Sequence, residues 1–141
     1  MMLANKYQSF LDAFSRWANE HPDIEAAVLV GSHARGAATM GSDVDLVVLT
    51  SGVDRYLHDR TWVSAFGEPL ECVKEDYGRV TSLRVFYREG LEVEYGFTTP
   101  EWAAFPIDEG TRQVVEDGMK VLYDPHGIIA RMQRQLRSNE N

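Results

Sequence analysis

Cysteine is nearly absent from this chain, with a single one, Cys72, in 141 residues. One cysteine makes no internal disulfide and is too few for a zinc site, so a small core residue is its expected role. Long apolar runs are missing as well. No stretch approaches the roughly 20 residues of a membrane-spanning helix. The N-terminus shows no basic-then-apolar leader, and a cytoplasmic location is expected. Positive charge is scarce: 14 Lys and Arg stand against 22 Asp and Glu, a formal net charge of −8. That balance argues against an unspecific grip on DNA or RNA phosphates and makes nucleic acid an unexpected partner. It leaves room for a single nucleotide whose bound divalent cations cancel local carboxylates. Much of the acidity falls between Glu68 and Glu94, and for most of it a solvated surface is the expected role. Internal repeats, low-complexity tracts and linkers are also lacking.

What is present is a chain of ordinary globular composition, 44% apolar and 26% charged, long enough to bury a core. Tyr7, Phe10, Leu11, Phe14, Trp17 and Ala18 recur at helical spacing and predict a helix over 5–20, ended by His21-Pro22-Asp23. Ala26 to Val30 reads as a buried strand. Gly31-Ser32 breaks it, with Ser32 as the expected N-cap of a short helix over His33 to Arg35 and Gly36 as its stop. A small loop, Ala37 to Gly41, leads to Ser42 and a strand through Leu49. A helix over Asp54 to Phe66 follows, with Tyr56, Trp62, Val63 and Phe66 as core contacts. Strands are expected at Leu70–Lys74, Ser82–Arg88 and Leu91–Thr98, with a hairpin turn at Glu89-Gly90. A turn holding Trp102 and Phe105 comes next, then a helix over Asp108–Asp117 ended by Gly118, and a strand at Met119–Tyr123. Asp124-Pro125 reads as the start of a last helix, apolar at Ile128, Ile129, Met132 and Leu136 and basic at Arg131, Arg134 and Arg137. The tail Ser138–Asn141 is expected to fray. The sum is a mixed α/β (α+β) single domain with a largely sequential hairpin sheet flanked by helices. Its core spans about 24–98, and a C-terminal strand and helix occupy 119–137.

The chemistry concentrates where the first two strands meet. A Gly-Ser turn opening a helix offers unpaired N–H groups and a partial positive charge, hence an anion seat. In the next strand Asp43, Asp45 and Val47 share one face, and Val44, Leu46 and Val48 the other. Each feature is weak alone. Together they set an anion seat beside a two-carboxylate face, as a magnesium-bridged triphosphate requires, since magnesium takes hard oxygen ligands and keeps several waters.

Gly31-Ser32-x-Ala34-Arg35-Gly36 followed by Ser42-Asp43-x-Asp45-Leu46 resembles the signature of the DNA polymerase beta-like nucleotidyltransferase superfamily. The resemblance covers residues 31–46 directly and agrees with the order of strands to about Thr98. It implies a nucleotidyltransferase-type fold. It also implies transfer of an NMP from a magnesium-bound NTP to a hydroxyl of a small-molecule or protein acceptor, with pyrophosphate leaving. Gly31, Ser32, Arg35 and Ser42 are then assigned to the nucleotide and its phosphates. Asp43 and Asp45 become ligands of two Mg2+ ions. A third acid on a later strand completes the catalytic and metal-binding set; Glu94, deeper in its strand, is the first choice and Glu92 the alternate.

Other residues carry open alternatives. Arg35 is a phosphate contact or a partner of a sheet acid. His33 is expected to face solvent. Arg84 and Arg88 alternate on one strand and either meet phosphate or acceptor or are surface cations, the commoner role. Tyr95 and Trp102 stack on a base or, as is commoner, pack under the sheet. Antibiotic-modifying relatives usually carry an added helical domain, for which the residues after Thr98 are too few. The alternative function is therefore an antitoxin-like minimal nucleotidyltransferase acting on, or binding, a helical partner protein.

Overall fold

The computed structural model of the chain describes residues 2–36, 38 and 42–139. Most of the expected Ala37–Gly41 loop and the last two residues of the expected fraying tail lie outside that set. The amphipathic N-terminal stretch forms α1 (Met2–Asn19). It lays Phe10, Leu11, Phe14 and Trp17 on one face of a mixed sheet, where Phe14 is fully buried. The strands are β1 (Ile24–Val30), β2 (Val44–Thr50), β3 (Pro69–Asp76), β4 (Thr81–Tyr87), β5 (Glu92–Thr98) and β6 (Lys120–Tyr123). β1 is buried on both faces, with Ala27 and Leu29 against the layer of α1 and Ala26 and Val28 against the other. That accounts for its lack of apolar-polar alternation. The opposite face is covered by a 3-10 turn at Pro100–Ala103, by α4 (Glu109–Asp117) and by α5 (Ile128–Asn139). Trp102, Ile129, Met132 and Leu136 pack there against Val28, Val47 and Leu49.

The sheet order is β3-β4-β5-β2-β1-β6. It is mixed, as expected, but it is not a run of sequential hairpins. β5 lies beside β2 and parallel to it, so the β3-β4-β5 meander joins the earlier strands through its last member. β6 completes the sheet on the far side of β1.

Local departures from expectation have local causes. The helix expected over Asp54–Phe66 is divided into α3 (Val53–His58) and a 3-10 segment, Thr61–Phe66. At the break the Asp59 carboxylate accepts from the Thr61 N–H at 3.1 Å and from its hydroxyl at 2.8 Å, an Asx turn that competes with helix. α2 spans Gly31–Arg35, so Ser32 lies in its first turn and is not its N-cap, which is Val30. Gly36 ends it in the left-handed conformation, as expected. Asp124 does cap the last helix, accepting from the Ile129 and Ala130 N–H groups at 3.3 and 3.1 Å. Residues 125 and 126 form a turn first, so α5 starts later than the Asp-Pro pair implied, and it stays helical through Asn139. α4 begins and ends where read, with Asp108 as N-cap and Gly118 as C-cap.

Candidate active site

Register builds the site. Antiparallel pairing sets Val30 of β1 opposite Asp45 of β2. Parallel pairing sets Asp45 beside Glu94 of β5, and antiparallel pairing sets Glu94 opposite Arg84 of β4. Neighbouring strands are about 4.8 Å apart, so side chains in one such row on one face must touch. Asp43, Asp45 and Glu94, all half-buried, each bring a carboxylate oxygen within 4.8 Å of the others. Glu92, two residues before Glu94 on the same face, accepts a hydrogen bond from Arg84 at 2.6 Å. It lies outside that group of three.

Gly31 joins the phosphate seat to this cluster. Its φ is +74°, and a Cβ placed there would lie 2.3 Å from Asp45 Oδ2. A side chain would therefore strain the backbone and displace the carboxylate. The α2 N-terminus consequently lies directly against Asp45. Asp45 is the most perturbed carboxyl of the site. Burial, and then the neighbouring carboxylates of Asp43 and Glu94, push its pKa up to about 8. Its Oδ1 is buried with no hydrogen-bond partner among the described residues. A buried, unpartnered carboxylate oxygen facing two other carboxylates is costly by itself. The same three hard-oxygen donors suit a divalent cation such as magnesium.

Arg84 is a member of the site that sequence spacing alone does not distinguish from a surface cation. Its Nη1 donates to Asp43 Oδ2 at 3.0 Å and to Glu92 Oε2 at 2.6 Å. Its Nη2 donates to Glu94 Oε2 at 3.0 Å, and its Nε to Glu75 Oε1 at 2.7 Å. Glu75 joins it through the β3–β4 pairing, which sequence spacing does not reveal. Arg88 is a surface cation, paired with Glu68 where both are exposed.

The remaining candidates divide by face. Tyr95 points away from the carboxylates and is fully buried, its hydroxyl 2.8 Å from that of Tyr87, which donates to the Val63 carbonyl. It packs in the core and stacks on no base. Trp102 is buried on the carboxylate face. It borders a cavity of about 370 Å3 that opens from Asp45 and Glu94 and is also lined by Tyr77, Arg79, Ser82 and Thr111. His33 does not simply face solvent. Its ring stacks on Tyr7 of α1 at 4.1 Å, and its Nε2 lies 3.4 Å from the Ser42 carbonyl, linking α2 to the approach to Asp43. Ser32 and Ser42 are half-buried near the seat, whereas Arg35 is exposed at the end of α2, beside Gly118. Cys72 is half-buried, and burial raises its thiol pKa.

Comparison with known proteins bears on the fold and the family. The model of the streptomycin adenylyltransferase family matches residues 5–137. Among solved structures, an aminoglycoside 6-adenyltransferase from Bacillus subtilis superposes with a TM-score of 0.56 at 16% identity, over 68% of this chain and 36% of that one. Cid1 in complex with the UTP analogue UMPNPP superposes with a TM-score of 0.50 at 20% identity, over 68% of this chain and 30% of that one. This chain thus spans about a third of the length of either structure, and at these identities the likeness is one of fold. Comparison with curated proteins by sequence gives no match. The family model covers nearly the whole chain. The chain belongs to the streptomycin adenylyltransferase family, among the DNA polymerase beta-like nucleotidyltransferases.

Proposed function

We propose that this protein transfers a nucleoside monophosphate from a magnesium-bound NTP to a hydroxyl of a cationic small molecule of the aminoglycoside kind, releasing pyrophosphate. The observation that carries the reading is the convergence of Asp43, Asp45 and Glu94 within 4.8 Å, directly beside the Gly31-Ser32 turn. In the reaction the acceptor hydroxyl loses its proton to solvent, its oxygen forms a bond to the α-phosphorus, and the bond from that phosphorus to the bridging oxygen of pyrophosphate breaks. Gly31 lets the backbone approach the phosphates, and Ser32 offers its N–H and hydroxyl to them. Ser42 and Arg35 are assigned to the same nucleotide. Asp43 and Asp45 would hold two magnesium ions, with Glu94, across Asp45 from the phosphate seat, as the third ligand. Bound magnesium would lower the pKa of the acceptor hydroxyl and neutralise charge on the leaving phosphates. The acceptor class is supported by the family and by the net charge of −8, which favours a cationic ligand.

The test is incubation with magnesium, each of the four labelled NTPs and streptomycin or a related aminoglycoside. Label should pass to the acceptor with wild-type protein and fail to pass with Asp43→Ala or Asp45→Ala of unchanged fold. Transfer retained in either variant would contradict the metal assignment. Transfer to none of the aminoglycosides, with pyrophosphate still released, would contradict the acceptor class alone.

A further inference from the structure

One cation stands among the carboxylates at the end of the sheet. Arg84 is held on β4 opposite Glu94, and its side chain is only 24% exposed. A guanidinium has five N–H donors. Four of the bonds they make here go to carboxylates: Asp43 and Glu94 at 3.0 Å, Glu92 at 2.6 Å and Glu75 at 2.7 Å. Two of these partners belong to the group of three whose oxygens converge. The other two do not. Asp45 itself keeps a buried Oδ1 with no partner among the described residues. The positive charge is therefore unevenly spread. Arg84 neutralises the Asp43 and Glu94 end of the cluster and leaves the Asp45 end bare.

We propose that Arg84 is a resident counter-cation that competes with the divalent ion for Asp43 and Glu94. It withdraws onto Glu75 and Glu92 when the site is fully loaded. The inference rests on reading Asp43, Asp45 and Glu94 as the metal site. Two facts favour displacement over a fixed structural role. A unit positive charge within hydrogen-bond reach of two ligands repels an incoming dication in partly desolvated surroundings. Glu75 and Glu92 already hold the guanidinium through Nε and Nη1, so it can release Asp43 and Glu94 while keeping two carboxylate partners. Arg84 is in this sense a positioning residue. It keeps the Asp43 and Glu94 carboxylates together until a metal takes over, and it sets how tightly that metal binds.

The test is Mn2+ binding to nucleotide-free protein, followed by electron paramagnetic resonance of the free ion, in wild type, Arg84→Gln and Arg84→Lys. Arg84→Gln should bind Mn2+ tighter by about tenfold or more. Arg84→Lys should fall between, because an ammonium does not span four carboxylates. Equal or weaker affinity in folded Arg84→Gln would overturn the inference. Saturable binding absent from both proteins would overturn the metal reading beneath it as well. A second measurement follows metal binding to wild type and does not depend on Arg84→Gln. In wild type the Arg84 Nη–H resonances, which report the donors to Asp43 and Glu94 and are assigned against Arg84→Lys, should move as Mg2+ saturates the site. Resonances unmoved at saturation would overturn the inference even if Arg84→Gln failed to fold.

Discussion

Asp45 is the residue on which the site's electrostatics turn. Its raised pKa has a consequence for stability whose sign can be worked out. In the folded protein it holds its proton up to about pH 8, whereas in the unfolded chain it releases it near pH 4. The folded state therefore binds more protons between these limits, and stability falls as pH rises through that window. In EDTA, urea unfolding should show wild type losing stability from pH 5 to pH 8.5. Asp45→Asn should flatten that slope, and a divalent cation should restore wild-type stability at the alkaline end. A slope identical in Asp45→Asn would contradict the assignment. Gly31 is tied to the same carboxylate. Gly31→Ala should cost about 1–2 kcal/mol through its positive φ and should lower nucleotidyl transfer far more than that loss implies, because its Cβ would take the place of Asp45 Oδ2. Unchanged turnover in Gly31→Ala, measured well below its melting temperature, would remove Gly31 from the site. These two residues were legible in the sequence because the turn and the Asp-x-Asp pair are close neighbours in the chain. Their contact follows from the short antiparallel return of β2 along β1.

At the scale of elements, legibility depended on how local the cause was. α1 was readable because its aromatic stripe repeats at helical spacing, and α4 because Asp108 and Gly118 cap it. The break between α3 and Thr61–Phe66 was not, since one Asp59 side chain decides it against an otherwise continuous apolar pattern. Arg84 and Glu75 were not readable as site residues either. Period-two alternation gives a face but not a register, and register decides which side chains meet. The parallel pairing of β2 with β5 was equally hidden, because a strand buried on both faces carries no mark of its neighbour's direction. It does make a prediction that separates two adjacent residues. Glu94 shares a row with Asp45, and Glu92 does not. Glu94→Gln should therefore lower kcat by about a hundredfold or more, and Glu92→Gln by much less. The reverse order in steady-state kinetics would transfer the third-ligand role to Glu92. As a control in the turn between β4 and β5, Arg88→Ala should change stability by less than about 1 kcal/mol, because its pairing with Glu68 is exposed.

For the molecule as a whole, the sheet organises function by division of faces. The layer of α1 and the Thr61–Phe66 segment closes one face with aromatic packing around Phe14, Phe66 and Tyr95. The other face carries the carboxylate row at its open end and a cavity running from that row toward Trp102 and Thr111. Phe14→Ala should thus cost about 3–5 kcal/mol while leaving kcat near wild type under conditions where the variant is folded. A loss of kcat matching the loss of stability would contradict the separation of faces. Among the described residues no helix is long and apolar enough to cross a membrane. The central claim concerns which phosphorus is attacked, and one measurement addresses it directly. With magnesium, an aminoglycoside acceptor and NTP labelled in turn at the α- or the γ-phosphorus, the α-label should appear on the acceptor. The γ-label should leave in pyrophosphate, and both outcomes should vanish in Asp45→Asn. Appearance of the γ-label on the acceptor would mean phosphoryl rather than nucleotidyl transfer, and would contradict the reading of this site.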